Sequence, residues 1–168
     1  MRQVLLAFQI IFVAVALDFL SGAAFAQTPI RQFPLSERQV QGFIAAHGDM
    51  GVAARTMTGE KIDAAKRQQL DAIARKFGFN DFKEYEEVAS NIALVMSGFD
   101  AKTKTFTEPP TAIRREINAL MADRLMPEDE RKRFLDELNK ALKLAAPVAY
   151  PSNIELIKKF FDRLDSLM

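Results

Sequence analysis

Apolar residues recur at helical spacing along most of the chain, and glycine, proline or capping residues separate each run from the next. Six runs follow residue 34, and they begin near residues 36, 60, 81, 109, 127 and 154. No window alternates apolar and polar residues between turn signals, so no sheet is expected. The pattern predicts an all-α fold, a compact irregular bundle of five or six helices.

The start of the first predicted helix carries two signals that are typical of helix N-termini. Ser36 is placed to act as the N-cap, and Gln39 has the spacing that closes a capping box. Leu35 and Val40 flank these residues at the positions of a hydrophobic staple. The first helix is therefore expected to begin directly after Ser36.

The same stretch, LSERQ from Leu35 to Gln39, resembles the LTxxQ motif of the Spy and CpxP family of small periplasmic helical proteins, with serine in place of threonine. That resemblance implies an exported, cofactor-free helical protein, and members of the family are dimers with chaperone-like or stress-sensing roles. It covers five residues and lacks the second copy of the motif that is usual in the family. No functional residue is carried over from it.

Glycine and capping residues further along the chain predict where the next helices begin and end. Gly48 and Gly51 weaken the first helix, and a kink or a break is expected there. The second helix is predicted from about Glu60 to Phe77. Asp81 and Glu84 then repeat the spacing of a capping box at the start of the third helix.

A polar, threonine-rich connector over residues 98–110 divides the six predicted helices into two sets of three. Pro109 is expected in the first turn of the fourth helix, and Pro127 at the start of the fifth. The sixth is predicted over Ile154–Leu167. Because halves of this size without disulfides are marginally stable alone, residues 35–168 are predicted to form one domain, preceded by an extended arm over residues 27–34.

The first 26 residues have the pattern of a Sec-type signal peptide. One arginine precedes an apolar run over residues 4–17, and Ala24-Phe25-Ala26 fits the A-x-A rule with cleavage after Ala26. The apolar run is shorter than the ~20 residues of a membrane-spanning helix. A periplasmic or secreted protein with no membrane segment after cleavage is predicted, and an uncleaved anchor is the alternative.

Composition removes several classes of chemistry. The chain has no cysteine and one histidine, His47, so a zinc site built on several such ligands cannot form within one chain. No phosphate-binding glycine loop, thiol nucleophile or nucleophile elbow occurs. The formal net charge is +1, which does not favour nucleic acid as a partner. No catalytic, cofactor-binding or metal residues are predicted, and His47 is interpreted as lining the inner face of its helix.

Charged and aromatic clusters also have structural interpretations. Glu128-Asp129-Glu130 suits the start of a helix, where negative charge complements the helix dipole. The basic run Arg131-Lys132-Arg133 is spaced for i,i+4 pairs with those acids, which makes it a solvated face. Phe77, Phe79 and Phe82 are expected to fill the corner between helices two and three. A carboxylate pair acting as acid and base is not excluded by spacing.

An internal echo links two distant segments. Ser90–Asp100 (SNIALVMSGFD) and Ser152–Asp162 (SNIELIKKFFD) share six of eleven residues, which duplication or chance similarity of two amphipathic helices would explain.

The last predicted helix carries apolar residues over a wider arc than one packing partner needs. Either the helix is wedged between two others, or its edge near Leu156 and Phe160 meets a partner, with a second copy as one candidate. Phe99 and Phe106 either pin the connector to the bundle or offer a contact surface. The candidate partner surface comprises Leu156, Phe160, Leu94, Phe99 and Phe106.

Taken together, the sequence predicts an exported, non-enzymatic helical protein, a protein-binding or envelope-accessory factor that needs no cofactor. A periplasmic chaperone-like stress protein and a carboxylate-dependent hydrolase of envelope polymers are the two alternatives.

Overall fold

The computed structural model describes residues 30–56 and 64–167. The described residues form six helices, α1 to α6 in chain order, with these bounds: Glu37–Thr56, Ala64–Lys76, Phe82–Met96, Pro109–Ala122, Glu128–Leu144 and Pro151–Asp165. Within this part of the chain, β pairing is confined to an isolated antiparallel bridge between Phe99 and Phe106. The predicted all-α bundle is confirmed. The signal peptide, residues 27–29 of the arm and residues 60–63 of the second predicted helix lie outside the described residues.

Four of the six helices build the main core. α2 packs against α1 and α3, and α6 packs against both α1 and α3. Val40, Val88, Ile92, Ile157 and Leu164 are completely buried at the centre of this group. These four helices are called the body.

The remaining two helices, α4 and α5, pack chiefly against each other as a helical hairpin. Ile113 and Leu120 of α4 are buried, but they lie apart from the core of the body. The connector does separate three helices from three along the chain, yet in space α6 returns to the first three. The hairpin is therefore an insertion between α3 and α6 rather than part of a second three-helix unit.

The predicted N-terminus of α1 is confirmed in its details. The Gln39 amide N–H donates to Ser36 Oγ at 3.2 Å, and the Ser36 amide N–H donates to Gln39 Oε1 at 3.0 Å. Both residues of the expected staple, Leu35 and Val40, are buried. This cap fixes the point at which the extended arm becomes a helix.

The predicted break in α1 was wrong. The helix continues through Gly48 and Gly51 to Thr56, and a Cβ atom at either glycine would meet nothing within 4 Å. Burial of Met50 and Ala53 supplies packing that offsets the low helix propensity of glycine. Gly42 has a different role, because a Cβ there would lie 2.7 Å from the Phe77 carbonyl oxygen of the α2–α3 corner.

That corner is filled by aromatic rings, as the sequence predicted. Phe79 and Phe82 are 4% and 2% exposed, and both contact the ring of Tyr85 one turn into α3. Phe43 of α1 stacks on the same tyrosine ring, with 5.5 Å between centroids. The expected cap is present, since Asp81 accepts a hydrogen bond from the Glu84 amide at 2.8 Å. The rings therefore join three helices and are buried within the body.

Proline marks the start of the last three helices. Pro109 lies in the first turn of α4, and Pro127 is the N-cap residue of α5, close to the predicted starts. α6 begins at Pro151, one turn earlier than the predicted Ile154. The early start follows from the fixed φ of proline and its missing N–H, which suit a first helical turn as well as a break.

Candidate functional site

The five residues of the predicted partner surface lie mostly inside the body or against it. Leu94 and Phe160 are 8% and 7% exposed, whereas Leu156, Phe99 and Phe106 are half-buried and packed on the core. α6 lies between α1 and α3, which is the wedged arrangement. As a surface for a partner, these five residues remain a prediction.

The two aromatic residues of the connector hold it to the body. The ring centroids of Phe99 and Phe106 are 5.3 Å apart, and Phe99 also lies 5.4 Å from Phe161 of α6. Gly98 makes this possible, because a Cβ there would clash with the Phe106 ring and lie 2.6 Å from the Thr107 carbonyl oxygen. The connector is therefore pinned, which is one of the two roles expected for its phenylalanines.

Polar groups give the rest of the connector a fixed shape. The Asp100 carboxylate accepts hydrogen bonds from the Lys102 amide, the Thr103 amide and the Thr103 hydroxyl at 2.8–3.0 Å. The bonds from Thr103 hold the pKa of Asp100 below its usual range. Lys104 forms an ion pair with Asp162 of α6.

Two buried asparagines grip the extended arm. Asn91 of α3 accepts from the Phe33 amide at 3.3 Å and donates to the Arg31 carbonyl at 2.9 Å. Asn153 of α6 accepts from the Leu35 amide at 2.8 Å and donates to the Phe33 carbonyl at 2.9 Å. The asparagines are 1% and 2% exposed, so both side-chain amides have exchanged water for the arm backbone.

The spacing of these contacts follows the geometry of an extended chain. Backbone groups of alternate residues point to the same side, and the two asparagines bind Arg31, Phe33 and Leu35 in turn. Pro34 falls between two gripped residues, where its missing N–H leaves no partner unsatisfied in either clamp. The two asparagine carboxamides therefore bind the same edge of the extended arm.

The internal echo of the sequence corresponds to this arrangement. Asn91 and Asn153 occupy the second position of the two matched segments, and Phe99 and Phe161 occupy the tenth. Asn91 and Asn153 both form hydrogen bonds to the arm, and the rings of Phe99 and Phe161 contact each other. α3 and α6 consequently run side by side in the same direction.

A third carboxamide extends the network to the α5–α6 linker, residues 145–150. Gln32 donates to the Pro147 carbonyl at 2.9 Å and accepts from the Ala149 amide at 2.7 Å. Between them, the Val148 amide donates to the carboxylate of Glu108 at the start of α4. The arm thus joins α3, α6 and the linker from the hairpin.

The hairpin carries several large apolar side chains that are half-buried or exposed. α5 has no buried residue, although Phe134, Leu135, Leu138 and Leu142 lie along one side of it and are half-buried. At the far end, Met121 and Leu125 are 64% and 96% exposed, and Leu144 is 52% exposed near the linker. Among the helices that the structure describes, α4 is the main packing partner of α5.

The opposite side of α5 is charged and open. A shallow depression of about 320 Å³ is lined by acidic and basic residues alone: Asp129, Lys132, Arg133, Asp136, Glu137 and Lys140. The i,i+4 ion pairs expected along α5 are not formed, because the acidic and basic groups lie more than 4.0 Å apart. Acidic and basic residues alternate along a single convex helix. Two carboxylates on this face therefore do not point toward a common substrate position.

Two carboxyl groups elsewhere have raised pKa values. Burial raises the pKa of Glu116 on α4 to about 7. Burial also raises the pKa of Glu86 on α3, which the charge of Arg67 partly opposes. They lie on different helices, one in the hairpin and one in the body.

The remaining candidate groups have local structural roles. The His47 ring packs edge-on against Phe43, with 5.8 Å between centroids, and Asp49 pairs instead with Lys76 at 2.8 Å. Across residues 30–56 and 64–167, acidic and histidine side chains form no group that could hold a metal ion. The helices of that same part of the chain include none long and apolar enough to cross a membrane.

Comparison with protein-family models, curated proteins and solved structures found no match to this chain. The resemblance to the Spy and CpxP family therefore rests on Leu35–Gln39 alone, and these residues form the staple and capping box of α1.

Sequence reasoning missed the asparagine clamps. Their signal was a polar residue repeated at one position of two apolar helices: Asn91 beside Val88, Ile92 and Val95, and Asn153 before Ile157. A buried carboxamide requires partners, so these positions predict a nearby backbone segment with unsatisfied hydrogen-bonding groups.

Proposed function

We propose that the chain acts in the periplasm or outside the cell as a non-enzymatic protein-binding or envelope-accessory factor, with the α4–α5 hairpin as its binding element. The observation that carries this proposal is the half-buried apolar side of α5, which packs mainly against α4 within the described part of the chain. An extended amphipathic helix with one partner is the usual form of a helix that packs into a larger helical assembly.

A second copy of the chain is the first partner to test. Two helical hairpins can pair through their apolar sides as a four-helix bundle, and a two-fold arrangement presents the same surface from both copies. α5 carries five acidic and five basic side chains, so the flanks of its apolar side do not repel a second α5 by net charge. The same balance disfavours nucleic acid and anionic lipid.

A chaperone-like stress protein remains the alternative in the same compartment. Exposed Met121 and Leu125 at the hairpin tip favour it, because flexible apolar side chains suit varied clients. A carboxylate-dependent hydrolase has less support, because Glu86 and Glu116 lie on different elements and the charged depression is open.

Photo-crosslinking in cells tests the proposal. A photoreactive residue replaces Leu125 or Leu138 in the hairpin, and Lys83 on the exposed surface of α3 serves as the control site. Intact mass of the exported protein first establishes cleavage after Ala26; a product that keeps Met1 in the membrane pellet would contradict the localisation.

We expect adducts from the hairpin sites alone. An adduct of twice the chain mass identifies a second copy, and one other discrete adduct identifies an accessory partner. Many adducts that increase on heating would support the chaperone alternative. Equal crosslinking from Lys83 and the hairpin sites would rule out the hairpin as the binding element.

A further inference from the structure

Two segments join the hairpin to the body, the connector and the α5–α6 linker, and different contacts hold each of them in place. The connector is fixed by rings and by close packing at Gly98, through Phe99, Phe106 and Phe161. None of these contacts involves the arm. The connector can therefore stay in place whatever the arm does.

The α5–α6 linker depends on the arm. Val148 is its one buried residue, and its backbone is held on one side by Glu108 and on the other by Gln32. Gln32 is half-buried, and both ends of its carboxamide form hydrogen bonds to the linker. Its direction is set because Arg31 and Phe33 on either side are gripped by Asn91 and Asn153.

We propose that residues 30–35 act as a latch that holds the hairpin to the body through Gln32, so that unseating the arm releases the linker and lets the hairpin pivot on the connector. This inference concerns regulation of the binding element proposed above and rests on that function for its biological meaning. The conformational coupling itself can be measured without any partner.

The coupling follows from the order of the contacts. The two buried asparagines favour a seated arm, because without it the Asn153 carboxamide would lose both of its partners and Asn91 would keep only its bond to the Glu87 carbonyl. A seated arm presents Gln32 to Pro147 and Ala149, and these contacts hold Val148 beside Glu108. A ligand or force acting on the N-terminal segment would therefore change the freedom of a hairpin to which it is not directly bonded.

Amide hydrogen exchange of Val148 is the first measurement, because its acceptor is Glu108 and not Gln32. We expect Gln32→Ala to speed its exchange roughly ten-fold, the effect of losing a pair of modest hydrogen bonds. Phe33→Ala should speed exchange at Val148 and Ala149, although Phe33 does not bond to either amide. Gln41→Ala, which removes an exposed carboxamide bonded within α1 to Glu37, is the matched control.

Spin labels report the movement of the hairpin. The chain has no cysteine, so cysteines introduced at Arg124 on the hairpin tip and Gln68 on α2 are the only labelling sites. We expect one narrow distance distribution in the otherwise unchanged protein and a broader one with Gln32→Ala and Glu108→Ala combined.

Unchanged exchange at Val148 in Gln32→Ala would overturn the latch. Faster exchange with an unchanged distance distribution would overturn the release of the hairpin. Either result stands whether or not the hairpin crosslinks to a partner, and a failed crosslink leaves both measurements intact. The two proposals can therefore fail separately.

Discussion

The body and the hairpin are built from helices of similar length but are stabilised in different ways. In the body, every helix has at least two helical neighbours, and aliphatic and aromatic residues at its centre are completely buried. In the hairpin, α5 has no buried residue, and α4 is its main neighbour among the described helices. The free energy of unfolding is therefore expected to depend mainly on the body, while the hairpin is available for other contacts.

The helix ends differ in the same direction. α1 and α3 begin with side-chain caps from Ser36 and Asp81, whereas α4, α5 and α6 have no side-chain cap bond. A side-chain cap contributes about 1 kcal/mol. Both hairpin helices lack this contribution; α6 of the body lacks it too, but α6 has five buried residues where α5 has none.

The largest expected effect comes from placing a charge in the body. Phe160→Glu should lower the free energy of unfolding by several kcal/mol, because residue 160 is 7% exposed and the loss of carboxylate hydration there would be only partly offset by the nearby Lys159 and Arg163. Urea denaturation followed by circular dichroism measures it. Leu125→Glu at the hairpin tip is the control, with a change within about 0.5 kcal/mol.

If Phe160→Glu instead keeps its helicity and stability but lowers the mass seen by light scattering, α6 meets a second copy. The wedged position of α6 between α1 and α3 would then be the wrong interpretation of its wide apolar arc.

A smaller loss is expected where the connector meets the body. Gly98→Ala should cost about 2 kcal/mol, because the added Cβ would have to displace the Phe106 ring and the Thr107 carbonyl. Gly51→Ala in α1 is the matched substitution in open space, and it should raise stability by about 0.5–1 kcal/mol. Thermal unfolding of both variants measures the difference, and a loss of stability in Gly51→Ala would contradict the continuous α1 helix.

The smallest effect is a pH dependence located in the hairpin. Burial raises the pKa of Glu116 from 4.5 to about 7. Below pH 4.5 the Glu116 carboxyl is protonated in both the folded and the unfolded protein. Between about pH 4.5 and 7 the folded protein binds more protons than the unfolded protein, so the free energy of unfolding falls as pH rises. Because Glu116 is half-buried, solvent screening reduces the expected loss to about 1 kcal/mol.

Glu116→Gln should remove that loss, which makes the variant more stable than the parent at pH 8 and nearly equal at pH 4. Urea denaturation at both values tests it, with Glu137→Gln on the exposed face of α5 as the control. Identical pH dependence in parent and Glu116→Gln would show that the carboxyl is hydrated in the folded state.

The sequence predicted features that depend on near neighbours along the chain. The capping box at Ser36, the N-cap at Asp81, the aromatic corner at Phe79 and Phe82, and the starts of α4 and α5 are local patterns with local causes; at the third helix Glu84 bonds to the Asn80 amide and so does not close the predicted box. The return of α6 to the body, the role of Asn153 and the clamp formed by Gln32 could not be predicted this way. They depend on residues more than a hundred positions apart, and apolar spacing does not say which helix faces which.

The glycines show the same division. Gly48 and Gly51 have low helix propensity and so predict a break, but α1 stays continuous because Met50 and Ala53 are buried against the rest of the body. Gly98 has an ordinary position at a helix end, and its close approach to Phe106 becomes visible only when the connector is folded back.

The clamped arm also sets an order of events during synthesis. Leu35 and Phe33 are separated from Asn153 by 118 and 120 positions, and Lys159 reaches Glu37 across 122. A ribosome delivers the arm first and Asn153 almost last, so the Leu35 amide and the Phe33 carbonyl have no partner until α6 emerges, whereas Asn91 of α3 is made earlier. Contacts of such high sequence separation form late and slow folding. The arm therefore completes this fold rather than nucleating it, and a chain interrupted before residue 153 would hold its arm through Asn91 and without Asn153.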